Sequence, residues 1–211
     1  MEAAQGVVAG VVLAGGLSAR MGHEKALLRV YGPDQPHLLA RTHALLAGLV
    51  RPCWVSCRPG RGYPGFPCLY DAKTGLGPAA GVAAALEQAI RQGCAAVLAL
   101  SCDLPFMNAA TLTALLRARA KAPPGVLLTL YAAADSGREE PLAAVYEAGS
   151  LPFLTDALGR GERRLGGMIP AGLRRVLLYG PEEALPFFNM NRPQDLARAI
   201  SLAKSLAAGK K

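Results

Sequence analysis

Two adjacent glycines, Gly15 and Gly16, are followed closely by two cations, Arg20 and Lys25. Neighbouring glycines permit positive φ and bare the backbone, and successive N–H groups form a concavity that holds anions. Arg20 and Lys25 stand near enough along the chain to fold back over whatever those amides hold. Leu13 and Ala14 lead into the glycines from an apolar run, residues 6–13, which reads as a buried strand because it does not alternate. For the glycines alone the plainer reading is a strand-to-loop turn with solvated cations. The whole string, with Gly22 in step, reads as a grip on phosphate. It is not a P-loop, which needs Gly-Lys-Ser/Thr contiguous at a helix start; Lys25 stands three residues beyond Gly22.

A carboxylate complements the cations. Residues 95–101 form the clearest strand in the chain and deliver Asp103 just past its carboxyl end, where open α/β sheets bind ligands. Mg²⁺ takes one or two carboxylates together with substrate phosphates, so Asp103 is the candidate metal ligand. The alternative makes it a turn or capping residue before Pro105. Asn189 and Asn191 precede Pro193, where loop and helix-cap duty compete with a ligand role. The adjacent Arg163 and Arg164 read locally as solvated surface.

The whole chain narrows these options. Its 211 residues suit one α/β domain, and a hydrophobic fraction of 52% supplies a core. No apolar run reaches the ~18 residues of a membrane span, and the N-terminus lacks the basic start of a signal peptide. Five cysteines at irregular spacing argue for reduced thiols in the cytoplasm rather than disulfides or zinc. The net charge of +8 invites nucleic acid, but aromatics at 6% do not interleave with the scattered basic clusters. Polyanionic small molecules suit that field better.

The elements that must position these residues alternate. A helix is expected over 36–49, with His37 and His43 on its polar side, then a strand at 53–57 and a Gly/Pro-rich loop at 58–67. Residues 69–71 lead into Gly77-Pro78-Ala79-Ala80-Gly81 and an Ala-rich helix to about 92. Asn108 reads as the N-cap of a helix over 109–121. Strands are expected at 126–131 and 141–146, joined by a polar loop containing Arg138, Glu139 and Glu140. Strand following strand predicts a mixed sheet. A helix at 150–158, a short helix at 161–165, a strand at 174–179 and a last helix from Pro193 to about 208 complete the chain, with 208–211 frayed. The expectation is a three-layer αβα single domain, residues 1–211, with a mostly parallel, mixed central sheet. Gly75-x-Gly77-x-x-Ala80 satisfies a dinucleotide fingerprint on paper but does not open directly off a core strand.

Leu13-Ala14-Gly15-Gly16-x-Ser18-x-Arg20-Met21-Gly22-x-x-Lys25 resembles the signature of nucleotidyltransferases that move a nucleoside monophosphate from an NTP. Among them the chain is most similar to the molybdenum cofactor guanylyltransferases. Gly77 to Gly81 resembles their Gly-Pro-Leu-Ala-Gly element with Ala79 for Leu, Asp103-x-Pro105 their metal carboxylate, and Asn189 to Leu196 their Asn-x-Asn-x-Pro-x-Asp-Leu element. Arg192 stands where Thr is commoner. The matches span nearly the whole chain. The resemblance implies a Rossmann-like nucleotidyltransferase fold and Mg²⁺-dependent transfer of GMP from GTP to molybdopterin, with release of pyrophosphate. It assigns Gly15 and Gly16 to the triphosphate, Arg20 to the β and γ oxygens, Lys25 to the α-phosphate and Asp103 to Mg²⁺. Asp71 is a candidate contact for guanine or ribose. Asn189 and Asn191 would face the acceptor, with Arg163 and Arg164 as further acceptor-phosphate contacts. Partners would be cofactor-synthesis and molybdoenzyme-maturation proteins. The rival readings are a cytidylyltransferase of the same superfamily, disfavoured by Gly15-Gly16 where Ala-Gly is commoner, and an NAD-linked oxidoreductase using Gly75 to Ala80.

Overall fold

The first apolar run folds as β1, Val8–Leu13, and its burial on both faces explains the missing alternation: Ala9, Val11 and Val12 are fully buried. The computed structural model describes residues 6–14, 24–58, 60–70 and 77–208. Next come helix α1 (Leu38–Ala47), strands β2 (Cys53–Cys57) and β3 (Cys68–Tyr70), helix α2 (Pro78–Arg91) and strand β4 (Ala96–Ser101). Helix α3 (Ala109–Ala120), strands β5 (Leu128–Ala133) and β6 (Glu139–Glu147), helix α4 (Leu151–Gly159), strand β7 (Arg174–Tyr179) and helix α5 (Pro193–Ala208) complete the order.

All seven strands join one sheet in the order β3-β2-β1-β4-β6-β5-β7. Only β6 runs against the others, because the β5–β6 turn reverses the chain and β6 enters between β4 and β5. The sheet is therefore mixed and mostly parallel, as the strand-after-strand pattern predicts.

Two layers of helix cover it. Ala79, Val82 and Leu86 of α2 and Leu154 of α4 pack with Val11, Val97 and Leu130 on one face. Leu39 and Leu46 of α1 and Leu112 and Leu115 of α3 pack with Val12, Leu98 and Leu100 on the other. Helix α5 buries Ala199 and Ala203 beside Val30, Leu38, Phe106 and Met190, which pins the last segment to the sheet's functional edge. One close approach depends on a missing side chain. A Cβ on Gly81 would lie 2.5 Å from Ser56 Oγ and 3.1 Å from Leu13 Cδ2, so α2 rests almost directly on β1 and β2.

Four expectations need correction. Residues 161–165 form no helix; Gly161 and Gly167 hold φ of +81° and +90°, which a helix does not use. Strand β6 begins at Glu139 rather than 141, so both acidic residues belong to a strand. His37 is the N-cap of α1, its Nδ1 accepting from Ala40 N–H at 3.1 Å. His43 is not on a solvated face: its ring lies edge-on to Phe66 at 5.1 Å. Asn108 does cap α3, accepting from Thr111 N–H at 2.9 Å. Among the described residues no helix is long and apolar enough to cross a membrane.

Candidate active site

Strands β1 and β4 are parallel neighbours in register from Val8 with Ala96 to Leu13 with Ser101. Ala14, which follows Leu13, and Cys102, which follows Ser101, therefore leave the sheet side by side. Cys102 N–H donates to Leu13 O at 3.3 Å, tying the two exits together. Of the phosphate-gripping candidates, Leu13, Ala14 and Lys25 are described; Gly15, Gly16, Arg20 and Asp71 lie outside the described residues.

Lys25 opens a 3₁₀ turn, Lys25–Leu27, and its side chain reaches across the fold. Its ammonium donates to Met190 O at 2.7 Å and to Asn191 Oδ1 at 3.3 Å. Met190 N–H in turn donates to Asp103 O at 3.0 Å. Met190 is itself fully buried, so an apolar anchor places a backbone segment between the lysine and the aspartate. An ammonium has three donors; these two bonds leave one for a ligand oxygen.

The last segment explains its own motif. Asp195 Oδ2 accepts from Asn191 N–H at 2.9 Å and Arg192 N–H at 2.8 Å, capping α5 from its first turn. Those two bonds hold the Asp195 carboxyl below its ordinary range. Pro193 occupies the helix start, where its missing N–H costs nothing. Because Asp195 does the capping, the Asn191 side chain is free to meet Lys25. Asn189 Oδ1 is buried with no hydrogen-bond partner among the described residues.

Asp103 shares that condition. Its Oδ1 is buried and has no partner among the described residues. Burial pushes its carboxyl above the usual range, while a hydrogen bond from Ser101 and the Lys25 charge pull the other way. Burial, then the Asp103 charge, push the neighbouring Cys102 thiol up to about 12. Cys102 is thus a neutral, space-filling group beside the carboxylate. A buried carboxylate oxygen without a donor is costly unless something positive meets it. A hard divalent cation fits that oxygen, and no cluster of three His, Cys, Asp or Glu is present among the described residues to hold a metal without substrate oxygens.

Two features gave no signal in the sequence. Glu24, one residue before Lys25, accepts from Tyr63 Oη at 2.7 Å and pairs with Arg61 at 3.6 Å, so the 58–67 segment braces the approach to Lys25. Glu24 and burial together hold the Tyr63 hydroxyl protonated far above neutral pH. The second feature is a cavity of about 590 Å³ lined by Asn189 and Asn191 together with Arg138, Glu140, Phe188 and Arg198. Arg138 and Glu140 were visible only as charges of a polar loop before a strand, and Arg198 as one of two cations, with Lys204, on the last helix; only the fold brings them together.

The remaining candidates sit elsewhere. Gly77 caps α2 with φ of +71°, and a Cβ there would meet Arg163 O at 3.2 Å. Arg163 thus stands at the start of α2, and neither it nor Arg164 lines the cavity of Asn189 and Asn191. Both arginines are exposed.

The family described as MobA-like NTP transferase domain matches residues 10–176. A molybdenum cofactor guanylyltransferase from Rhodobacter capsulatus is 35% identical over 201 residues, covering 91% of this chain and 94% of that protein. A probable molybdenum cofactor guanylyltransferase from Opitutus terrae is 34% identical, covering 94% and 97%. Among solved structures, molybdopterin-guanine dinucleotide biosynthesis protein A from Archaeoglobus fulgidus superposes with a TM-score of 0.73 at 24% identity, covering 93% of this chain and 99% of that one. A 2-C-methyl-D-erythritol 4-phosphate cytidylyltransferase from Thermus thermophilus superposes at 0.63 with 22% identity, covering 92% and 98%, and shares the fold.

Proposed function

We propose, for a chain that belongs to the MobA-like NTP transferase family, that it transfers GMP from GTP to the terminal phosphate of molybdopterin. The products are the guanine dinucleotide form of the cofactor and pyrophosphate. The observation that carries the reading is the junction of Lys25 with Met190 O and Asn191 Oδ1, beside the unpartnered Asp103 oxygen. It joins the residues expected at the nucleotide to those expected at the acceptor.

No protein nucleophile is needed. An acceptor phosphate oxygen forms a bond to the α-phosphorus of GTP as the bond to the β-phosphate's bridging oxygen breaks, and the electron pair leaves with pyrophosphate. Catalysis of this kind is alignment plus neutralisation of charge. Lys25 offers its remaining donor to the α-phosphate while its other two fix the acceptor side. Gly15, Gly16 and Arg20 are proposed for the triphosphate, Leu13, Ala14 and Gly77 for the rest of the nucleotide, and Asp71 for guanine or ribose. Asp103 would hold Mg²⁺, which supplies Lewis-acid neutralisation of phosphate oxygens when bound. Asn189 and Asn191 are proposed for the acceptor. Arg163, whose backbone lies against the position of a Gly77 Cβ, with Arg164 next to it in the chain, is proposed for the nucleotide side rather than for the acceptor contacts expected of the pair.

The reaction suits a cytoplasmic protein that receives molybdopterin from cofactor-synthesis proteins and passes its product to molybdoenzyme-maturation proteins. Among the described residues the helix after Gly77 follows a three-residue edge strand rather than the core β1, which does not favour nicotinamide chemistry. The test is mass analysis of molybdopterin after incubation with the protein, Mg²⁺ and either GTP or CTP. A gain of one GMP supports the reading; a gain of CMP alone would reassign the nucleotide.

A further inference from the structure

The cavity lined by Asn189 and Asn191 contains one carboxylate, Glu140, and its setting is specific. Glu140 Oε1 accepts from Tyr179 Oη at 2.8 Å and from Arg138 at 2.9 Å. Its Oε2 has no partner among the described residues. Tyr179 is nearly buried and stacked on Phe187, with ring centroids 4.2 Å apart and planes 22° apart, so the group that aims the carboxylate cannot swing. On the cavity wall the Arg198 guanidinium lies over the Phe188 ring, 5.3 Å from its centre. The antiparallel pairing of β6 with β4 ends at Ala143 with Leu100, so Glu140, before that point in β6, and Asp103, after β4, lie toward the same end of the sheet.

This is a fixed acceptor group in a cleft with aromatic and planar cationic walls, one strand away from the transfer centre. A carboxylate is acceptor-only and can take two parallel N–H donors. We infer that the cavity seats the pterin ring of the acceptor and that Glu140 reads its 2-amino-4-oxo edge, taking the ring N3–H and the 2-amino group. The inference rests on the acceptor proposed above. Tyr179 and Arg138 are positioning residues: they spend their bonds on one oxygen and leave the other turned to the ligand. The Arg198 guanidinium, backed by the Phe188 ring beneath it, supplies a flat face for the fused ring, as planar heterocycles are held elsewhere by guanidinium faces.

The inference makes a chemical distinction. Lumazine carries a 2-oxo group where pterin carries a 2-amino group, so it would present an acceptor to the carboxylate. A polar site built for a donor rejects the analogue that lacks it. The test measures binding of 6-hydroxymethylpterin and its lumazine counterpart by fluorescence, for wild type, Glu140→Gln and Tyr179→Phe. Molybdopterin and GTP kinetics are run in parallel. Wild type is expected to prefer the pterin by about tenfold or more, the scale of one hydrogen bond to a charged group. Glu140→Gln should erase that preference and raise KM for molybdopterin at least about tenfold, leaving KM for GTP unchanged. Tyr179→Phe, which keeps the stacked ring, should weaken the preference in the same direction and keeps the test open should Glu140→Gln not fold. Equal binding of the two rings, no binding of either, or a preference that survives Glu140→Gln would overturn the pterin seat. Loss of GMP transfer in wild type would instead strike the proposed function, so the two failures are separable.

Discussion

The Lys25 ammonium lies 2.7 Å from the carbonyl oxygen of Met190, 165 positions further along the chain. A lysine in a nucleotide-binding string is ordinarily discussed for its phosphate. Here it also closes the fold over the site, because Met190 is bonded in turn to Asp103. The elements proposed for nucleotide, metal and acceptor therefore share one small set of bonds.

Lys25→Ala should lower GMP transfer by on the order of 10²–10³, the usual loss when one preorganised charge-stabilising group is removed. Lys25→Arg should not restore full activity, because a planar fork cannot replace three tetrahedral donors. Single-turnover rates with saturating GTP check both; near-normal transfer by the alanine variant would remove Lys25 from the mechanism.

Asp103→Asn should abolish Mg²⁺-dependent transfer and yet raise the melting temperature of the ligand-free protein. One oxygen of the buried carboxylate has no partner among the described residues, and desolvation holds the group above its ordinary pKa. An acid whose folded pKa is raised weighs against folding increasingly as pH rises above its ordinary value, and fully above the raised one, and the amide carries no such charge. Thermal melts with and without Mg²⁺ read this directly: wild type should gain stability from the ion and the variant should not.

Asp195→Ala should cost about 1 kcal/mol of stability through the lost cap and should lower transfer by releasing Asn191. Its pH dependence has a definite sign. The Asp195 pKa is depressed in the folded state, so its stabilisation is present above the ordinary carboxylate range and is lost as pH falls through the depressed value. The variant should accordingly show a shallower acid limb in stability measured from pH 6 downward.

Gly81→Ala should destabilise despite the better helix propensity of alanine, because the new methyl would stand 2.5 Å from Ser56 Oγ and 3.1 Å from Leu13 Cδ2. Overpacking of this kind costs about 1–3 kcal/mol. Adding Ser56→Ala should recover part of the loss, which a double-mutant cycle in denaturant measures.

Tyr63→Phe removes the hydroxyl that holds Glu24 and keeps the ring. It should raise KM for GTP severalfold with little change in KM for the acceptor. An unchanged KM for GTP would mean that the 58–67 segment does not brace the approach to Lys25.

Much of this arrangement was legible in the sequence where local chemistry dictates structure. The unbroken apolar runs of β1 and β4 announced strands buried on both faces, and Asn108 announced a cap. Asp195 shows why such reading has limits: the motif offered Asn191 as a possible cap, and only the folded geometry assigns that duty to Asp195 and frees the asparagine for Lys25. Arg163 stands beside Gly77 at the start of α2 rather than in the cavity of Asn189 and Asn191, and the turns at Gly161 and Gly167, with φ of +81° and +90°, are a path that residue types alone do not specify. The Glu140 cavity was illegible for a different reason. Its walls come from the β5–β6 turn and the start of β6, the segment before α5 and α5 itself, and only the insertion of β6 between β4 and β5 brings them together.

The central claim is that one centre passes GMP from GTP to molybdopterin. Its most direct test offers the protein equimolar GTP and CTP with Mg²⁺ and molybdopterin, and follows product mass and released pyrophosphate together. The account predicts molybdopterin heavier by one GMP and an equal amount of pyrophosphate, with neither formed by the Lys25→Ala or Asp103→Asn protein. Pyrophosphate without a nucleotidylated pterin, or a product carrying CMP in place of GMP, would contradict it.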